Sequence, residues 1–253
     1  IPKGARFRAR VNAQCAGGMI YVGGSSIQYI DEANGDTFQF SASPLTDNTM
    51  GTMVLDAGST GQGFCFPPLG IVGPTNRPSF ALLGDSRVTG LMDRYGDAQK
   101  QRGVLERGIG ANFGLTVLSQ SSETAATFNS AGSRRAALAN AYASHVISEY
   151  GINDMSAGAP TVLSRLATLW GNFPTKKVYQ TTISPNTTST DSWATVANQT
   201  AFAYEAARLS VNASIRYCPA PLAGIFDTAD VVESSRLSGK WNVAYTQDGS
   251  LAR

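Results

Sequence analysis

The spacing of apolar positions changes character near residue 78. Before it, Phe7, Ala9 and Val11 alternate with Arg6, Arg8 and Arg10. A period of two predicts a half-buried strand with the arginines on its solvated side. Further short apolar runs fall at 19–22, 27–30, 37–40, 53–55 and 64–66. Asn34-Gly35, between two of them, suits a type I′ hairpin turn, whose central residues both need positive φ. Residues 1–66 thus read as a small β-sandwich or barrel. It is either an accessory domain for carbohydrate binding or docking, or a structural appendage. Residues 67–78, rich in proline and glycine, read as a linker.

From residue 79 onward, strand-like and helix-like stretches alternate. Strands are expected over 79–83, 104–109, 146–150, 178–183 and 223–226, and helices near 88–101, over 133–143 and over 192–209. Another helix starts at Pro160, with Val162, Leu163, Leu166, Leu169 and Trp170 recurring at helical spacing. Such alternation predicts an α/β domain over 79–253, a parallel sheet with helices on both faces. Ligands in such sheets bind beyond the carboxyl ends of the strands.

Composition narrows the class. The 253 residues are 42% apolar, which excludes a mainly disordered chain. Only 15% are charged, against about 25% in a typical soluble domain. That suits a secreted, extracellular or virion protein. The net charge is +2 without a basic stripe, so no nucleic-acid partner is expected. No apolar run reaches the length of a membrane span. Three cysteines, one histidine and no CxxC exclude a disulfide scaffold and argue against a zinc site. Cys15 and Cys65 could pair, leaving Cys218 over, or all three are buried thiols. The scattered aspartates form no ligand set, so no metal is expected. Gly108-Ile109-Gly110 has Phe113 where a dinucleotide fingerprint needs its last glycine, and there is no Walker A pattern, so no cofactor is expected either. Asn186, Asn198 and Asn212 begin Asn-x-Ser/Thr triplets, which matter only in a eukaryotic secreted protein. The chain starts at Ile1 and stops at Arg253, which reads as a processed product with a trypsin-like cut at its end.

The chemistry gathers at the expected strand ends. The first strand runs into Gly84-Asp85-Ser86. A serine on a sharp strand-to-helix turn exposes its hydroxyl, and the helix start offers free N–H groups to a developing negative charge. The second expected strand ends in Gly108-Ile109-Gly110-Ala111-Asn112, where small residues allow close backbone approach. The third ends in Gly151-Ile152-Asn153-Asp154, where an asparagine amide can donate to an oxyanion. In order and position these three blocks resemble those of the SGNH hydrolases, the GDSL esterases and lipases, over about residues 79–245.

The resemblance implies a three-layer, flavodoxin-like fold and acyl transfer through Ser86. It implies an oxyanion hole made by the Ser86 N–H, a backbone N–H at Ala111 or Gly110, and the Asn153 side chain, with Asp85, Gly151 and Asp154 in support. The family usually has glycine where Ala111 falls. Its Asp-x-x-His block, which supplies the base, is missing: Asp248-Gly249-Ser250-Leu251 carries leucine in the histidine's place. His145, the only histidine, precedes the third strand and is not expected at the site. The catalytic His and Asp are therefore expected on a separate C-terminal piece, the alternative being a degenerate hydrolase that only binds. The expected substrate is an ester, by preference the O-acetyl ester of a carbohydrate. A lipid or small-ester hydrolase and a non-catalytic carbohydrate-binding or virion module remain alternatives.

Overall fold

The computed structural model describes residue 73, residues 76–90 and residues 103–245. The expectations on 1–66, on the Cys15–Cys65 pair, on most of the linker and on Asp248 lie outside them. The chain divides at Ile71/Val72 into two units, and all the described residues belong to the second.

Strand β1 is Ser79–Leu83, and the one-turn helix α1, Ser86–Thr89, comes next. Helix α2 is Gly103–Ile109, β2 is Gly114–Val117, α3 is Ala125–Ala131 and α4 is Ser133–Tyr142. Then come β3, His145–Ser148, α5, Ala159–Gly171, and β4, Lys177–Thr181. A hairpin of β5, Thr187–Ser189, and β6, Gln199–Ala201, leads to α6, Glu205–Arg216. Strand β7, Gly224–Phe226, and α7, Thr228–Val232, complete the described elements. Five strands form one sheet in the order β2-β1-β3-β4-β7, with every neighbouring pair parallel.

Parallel sheets are covered on both faces, so their central strands read as unbroken apolar runs. Phe80-Ala81-Leu82-Leu83 is such a run, and its last three residues are fully buried. Ala81, Leu83, Val146 and Val178 face the larger core, filled by Phe128 of α3, Ala139 of α4, Val162, Leu166 and Leu169 of α5, and Val211 and Ile215 of α6. Leu82 and Ile147 face the other side, against Val88 of α1 and Leu105 of α2. Among the described residues no helix is long and apolar enough to cross a membrane.

Two expectations from the apolar pattern fail. Residues 104–109 are helix, not strand, because the packed pair Leu105 and Ile109 is four apart and shares one helical face. The second strand lies further on, at Gly114–Val117. The helix expected over 192–209 is instead a hairpin followed by α6. Ser192 and Trp193 take φ of 55° and 58°, which stops any helix there. The helical spacing of buried positions begins only with Arg208, Val211, Asn212 and Ile215. Helix α1 is capped at Gly90 with φ 66°; the rest of the helix expected near 88–101 lies outside the described residues. Helix α3 was not anticipated at all.

Candidate active site

Register fixes which side chains meet at the carboxyl edge. Strand β1 ends at Leu83, and at the next residue, Gly84, a Cβ would run into the Val88 side chain, so glycine allows α1 to start so abruptly. Asp85, fully buried, caps α1: its Oδ1 accepts from the Arg87 N–H at 3.0 Å. Ser86 is thereby held, half-buried, at the first position of α1. The other oxygen of Asp85, Oδ2, accepts from Nδ2 of Asn153 at 3.2 Å. One carboxylate thus joins the serine turn to the exposed Asn153 after β3. Burial pushes the Asp85 carboxyl up, with Asp154 adding to the shift and Arg87 opposing it.

The chain after β2 arrives at the same place. Leu118 donates to Leu82 O and Gln120 donates to Gly84 O, carrying β2 alongside β1 up to the serine turn. Next come Ser121, Ser122 and Glu123. The Glu123 carbonyl accepts from Asn153 Nδ2 at 3.1 Å. Ser122 has φ 62°, a left-handed conformation that favours glycine. Among the described residues, no acceptor faces the N–H of Ser86 or of Ser122.

Two buried carboxylates brace this turn from behind. Glu123 accepts from Arg135 at 2.5 and 2.7 Å and contacts the Tyr150 hydroxyl, while Arg135 also donates to Leu118 O at 3.1 Å. Burial, then the Glu123 charge, pushes the Tyr150 phenol up, so that hydroxyl stays protonated and donates. Asp154 accepts from the Ala125 N–H at 2.8 Å and from Arg165 at 3.0 Å, fixing the start of α3. Gly151 sits at φ 138°, with Ile183 Cδ1 2.5 Å from where a Cβ would be. Gly151→Ala should therefore cost about 1–3 kcal/mol through backbone strain, with repacking of Ile183 in addition. A thermal melt equal to that of the parent would refute this.

No protein-family profile and no curated protein matches the chain. Solved structures do. A protein assigned as an acylhydrolase from Bacteroides fragilis superposes with TM-score 0.50 at 18% identity, over 72% of this chain and 82% of its own. A GDSL-like lipase from Bacteroides thetaiotaomicron gives TM-score 0.51 at 15% identity, over 72% and 84%. The chain has the SGNH hydrolase fold.

On this SGNH fold Asp85, Ser86, Gly151, Asn153 and Asp154 come together at the carboxyl edge. Gly110 and Ala111 do not. They form a 3-10 turn just before β2, and Gly114 pairs with Ser79 at the amino edge. A five-residue strand, about 16 Å, separates that edge from Ser86. The structure thus corrects the second block: the residues after β2, with Ser122 at their centre, stand beside Ser86. The sequence signal for them is Thr124, whose Oγ1 accepts from the Thr127 N–H at 3.0 Å and marks a helix start after the polar stretch that follows Leu118.

His145 begins β3 at the amino edge, opposite Phe80 and Lys177. Its Nδ1 lies 2.7 Å from Ser144 Oγ, and its ring packs between Phe80 and Tyr179. Burial, with Lys177 assisting, lowers its pKa. The only imidazole of the chain therefore stands at the far edge from Ser86. Among the described residues no group of three or more His, Cys, Asp or Glu side chains could hold a metal ion.

Proposed function

We propose that the protein is a serine ester hydrolase in which Ser86 carries the acyl group. The observation that supports this most directly is the convergence, at one strand edge, of the Ser86 hydroxyl, two N–H groups with no acceptor among the described residues and the Asn153 amide. The serine Oγ would attack the ester carbonyl carbon while a base takes its proton. The carbonyl oxygen, now carrying the charge, would be met by the Ser86 and Ser122 N–H groups and by Asn153 Nδ2. Collapse expels the alcohol, which takes the proton back, and water repeats the cycle to release the acid. Asp85 and Glu123 O already hold the Asn153 amide, so one of these bonds gives way as the oxyanion forms.

With the single histidine at the amino edge, the base is an imidazole from outside this chain, on a segment bearing the Asp-x-x-His block. The low charge of the chain supports an O-acylated, by preference O-acetylated, carbohydrate as substrate. The same missing imidazole favours a second reading, a non-catalytic binding module on a hydrolase scaffold.

A fluorophosphonate probe, applied to the protein with the segment bearing the Asp-x-x-His block present and read by intact mass, decides between them. The expected result is one adduct, mapped to Ser86 and absent from Ser86→Ala. With that segment present, equal labelling of both proteins, or none, would sink the hydrolase reading. Where hydrolysis of p-nitrophenyl acetate is measurable, Ser86→Ala should bring it to background. Asn153→Ala should lower kcat by about 10²–10³ with KM little changed, as for loss of one oxyanion donor.

A further inference from the structure

The β5–β6 hairpin lies outside the five-stranded sheet, yet it is tied to the residue next to the nucleophile. Arg87, almost wholly buried, donates from Nη1 to Ser184 O at 3.0 Å and from Nη2 to Pro185 O at 2.9 Å. These two carbonyls lead directly into β5. The Arg87 guanidinium also stands 6.0 Å from the ring centroid of Trp241. Trp241 in turn grips β6: Gln199 Nε2 donates to Trp241 O at 2.9 Å, and the Trp241 N–H donates to Gln199 Oε1 at 2.8 Å. Lys240 Nζ adds a bond to Val196 O at 3.3 Å. The hairpin is therefore rigidly placed relative to Ser86.

Its free surface is polar and almost uncharged. Thr188, Thr190, Ser192, Thr195, Asn198 and Thr200 are exposed. The one charge, Asp191, accepts from Ser189, Thr195 and Asn198, bonds that hold its carboxyl far below the usual range and spend its oxygens internally. Trp193 is half-buried with φ 58°; its indole N–H donates to Thr187 Oγ1 at 2.9 Å and its backbone N–H to Ser189 Oγ at 3.0 Å. None of the exposed large apolar side chains falls between residues 186 and 203. A wall for a fatty chain would need such groups. Hydroxyls around a fixed indole suit the alternating polar rim and apolar C–H faces of a sugar.

We propose that this hairpin is the alcohol-side wall of the ester site and that it takes a neutral sugar, with Trp193 as stacking platform and Thr188 and Thr200 as hydrogen-bonding partners. This rests on the ester-hydrolase reading, and the test separates the two. Thr188 and Thr200 are a directly opposed cross-strand pair. Thr→Val at both keeps shape and strand propensity while removing the hydroxyls.

Xylohexaose binding to the Ser86→Ala chain would be followed by titration calorimetry. O-Acetylated xylo-oligosaccharide and p-nitrophenyl acetate would be compared as substrates of the protein with Ser86 intact and the segment bearing the Asp-x-x-His block present. Thr188→Val/Thr200→Val and Trp193→Ala should each weaken xylohexaose binding about tenfold or more, and Trp193→Phe should retain most of it. For the acetylated oligosaccharide the losses should appear in KM, while p-nitrophenyl acetate, whose alcohol is small and flat, should be hydrolysed unchanged. The wall is refuted if xylohexaose does not bind, or if it binds the double variant as tightly as the parent, whatever Ser86 does. Absence of a fluorophosphonate adduct on Ser86 of the protein carrying the Asp-x-x-His segment refutes the hydrolase reading alone, even with sugar binding intact.

Discussion

Glu149→Gln should abolish most of the loss of stability that the parent suffers between about pH 4.5 and pH 8. Glu149 follows β3 and is 2% exposed, and neither carboxylate oxygen has a hydrogen-bond partner. The next strand offers only Thr181 at this level, and its hydroxyl is also unpaired. Burial, with the Asp85 charge adding to it and Arg87 opposing, pushes the Glu149 carboxyl up to about 8. Between about 4.5 and 8 the unfolded chain gives up this proton and the folded chain keeps it. The folded state then binds more protons, so stability falls as pH rises through that window. At 1.36 kcal/mol per unit the upper bound is about 5 kcal/mol. Asp85 is shifted the same way and is common to both chains, so it enters the comparison only through its coupling to Glu149. Urea melts at pH 5, 6.5 and 8 measure the effect, and parallel slopes for the two chains would contradict it.

Arg208→Met should destabilise the domain by about 3–5 kcal/mol at neutral pH, the cost of breaking a buried ion pair by removing one partner. The Arg208 side chain is completely buried. It donates to Glu205 at 2.6 and 2.8 Å, to Glu233 at 2.5 Å and to Ile183 O at 2.6 Å. The Glu233 side chain is 1% exposed, and its second oxygen has no partner already. Without the guanidinium it would be a lone charge out of water. Glu233→Gln added to Arg208→Met should therefore recover part of the loss. A double variant as unstable as the sum of its single changes would show that Glu233 is not the group in distress.

These effects arise from neighbours across strands, which explains what the sequence could and could not convey. The serine turn was readable because its causes are local: an apolar run, a glycine that Val88 demands and an aspartate that caps the next turn. Gly151-Ile152-Asn153-Asp154 was readable for the same reason. Ser122 was not, since a serine at φ 62° leaves no compositional mark where a glycine would have. Ser192 and Trp193 hid the hairpin in the same way. The helix at Gly103–Ile109 passed for a strand because two apolar contacts four apart look like a short run when the register of the true strand is unknown. That Asp85 would hold Asn153, or that Glu149 would lie unpaired beside them, depends on β1 lying next to β3. No spacing within either segment contains that.

Arg87 has a consequence for how such sites diversify. Its guanidinium engages the two carbonyls that open the hairpin and the ring of Trp241, which clasps the hairpin's return strand. A graft of residues 187–201 onto a relative would arrive without its moorings unless an arginine followed the serine and a tryptophan stood at the matching place near the end of the domain. Changes in this hairpin should thus come as linked sets of distant residues, and a loop swap alone should yield a hairpin that is placed differently relative to Ser86.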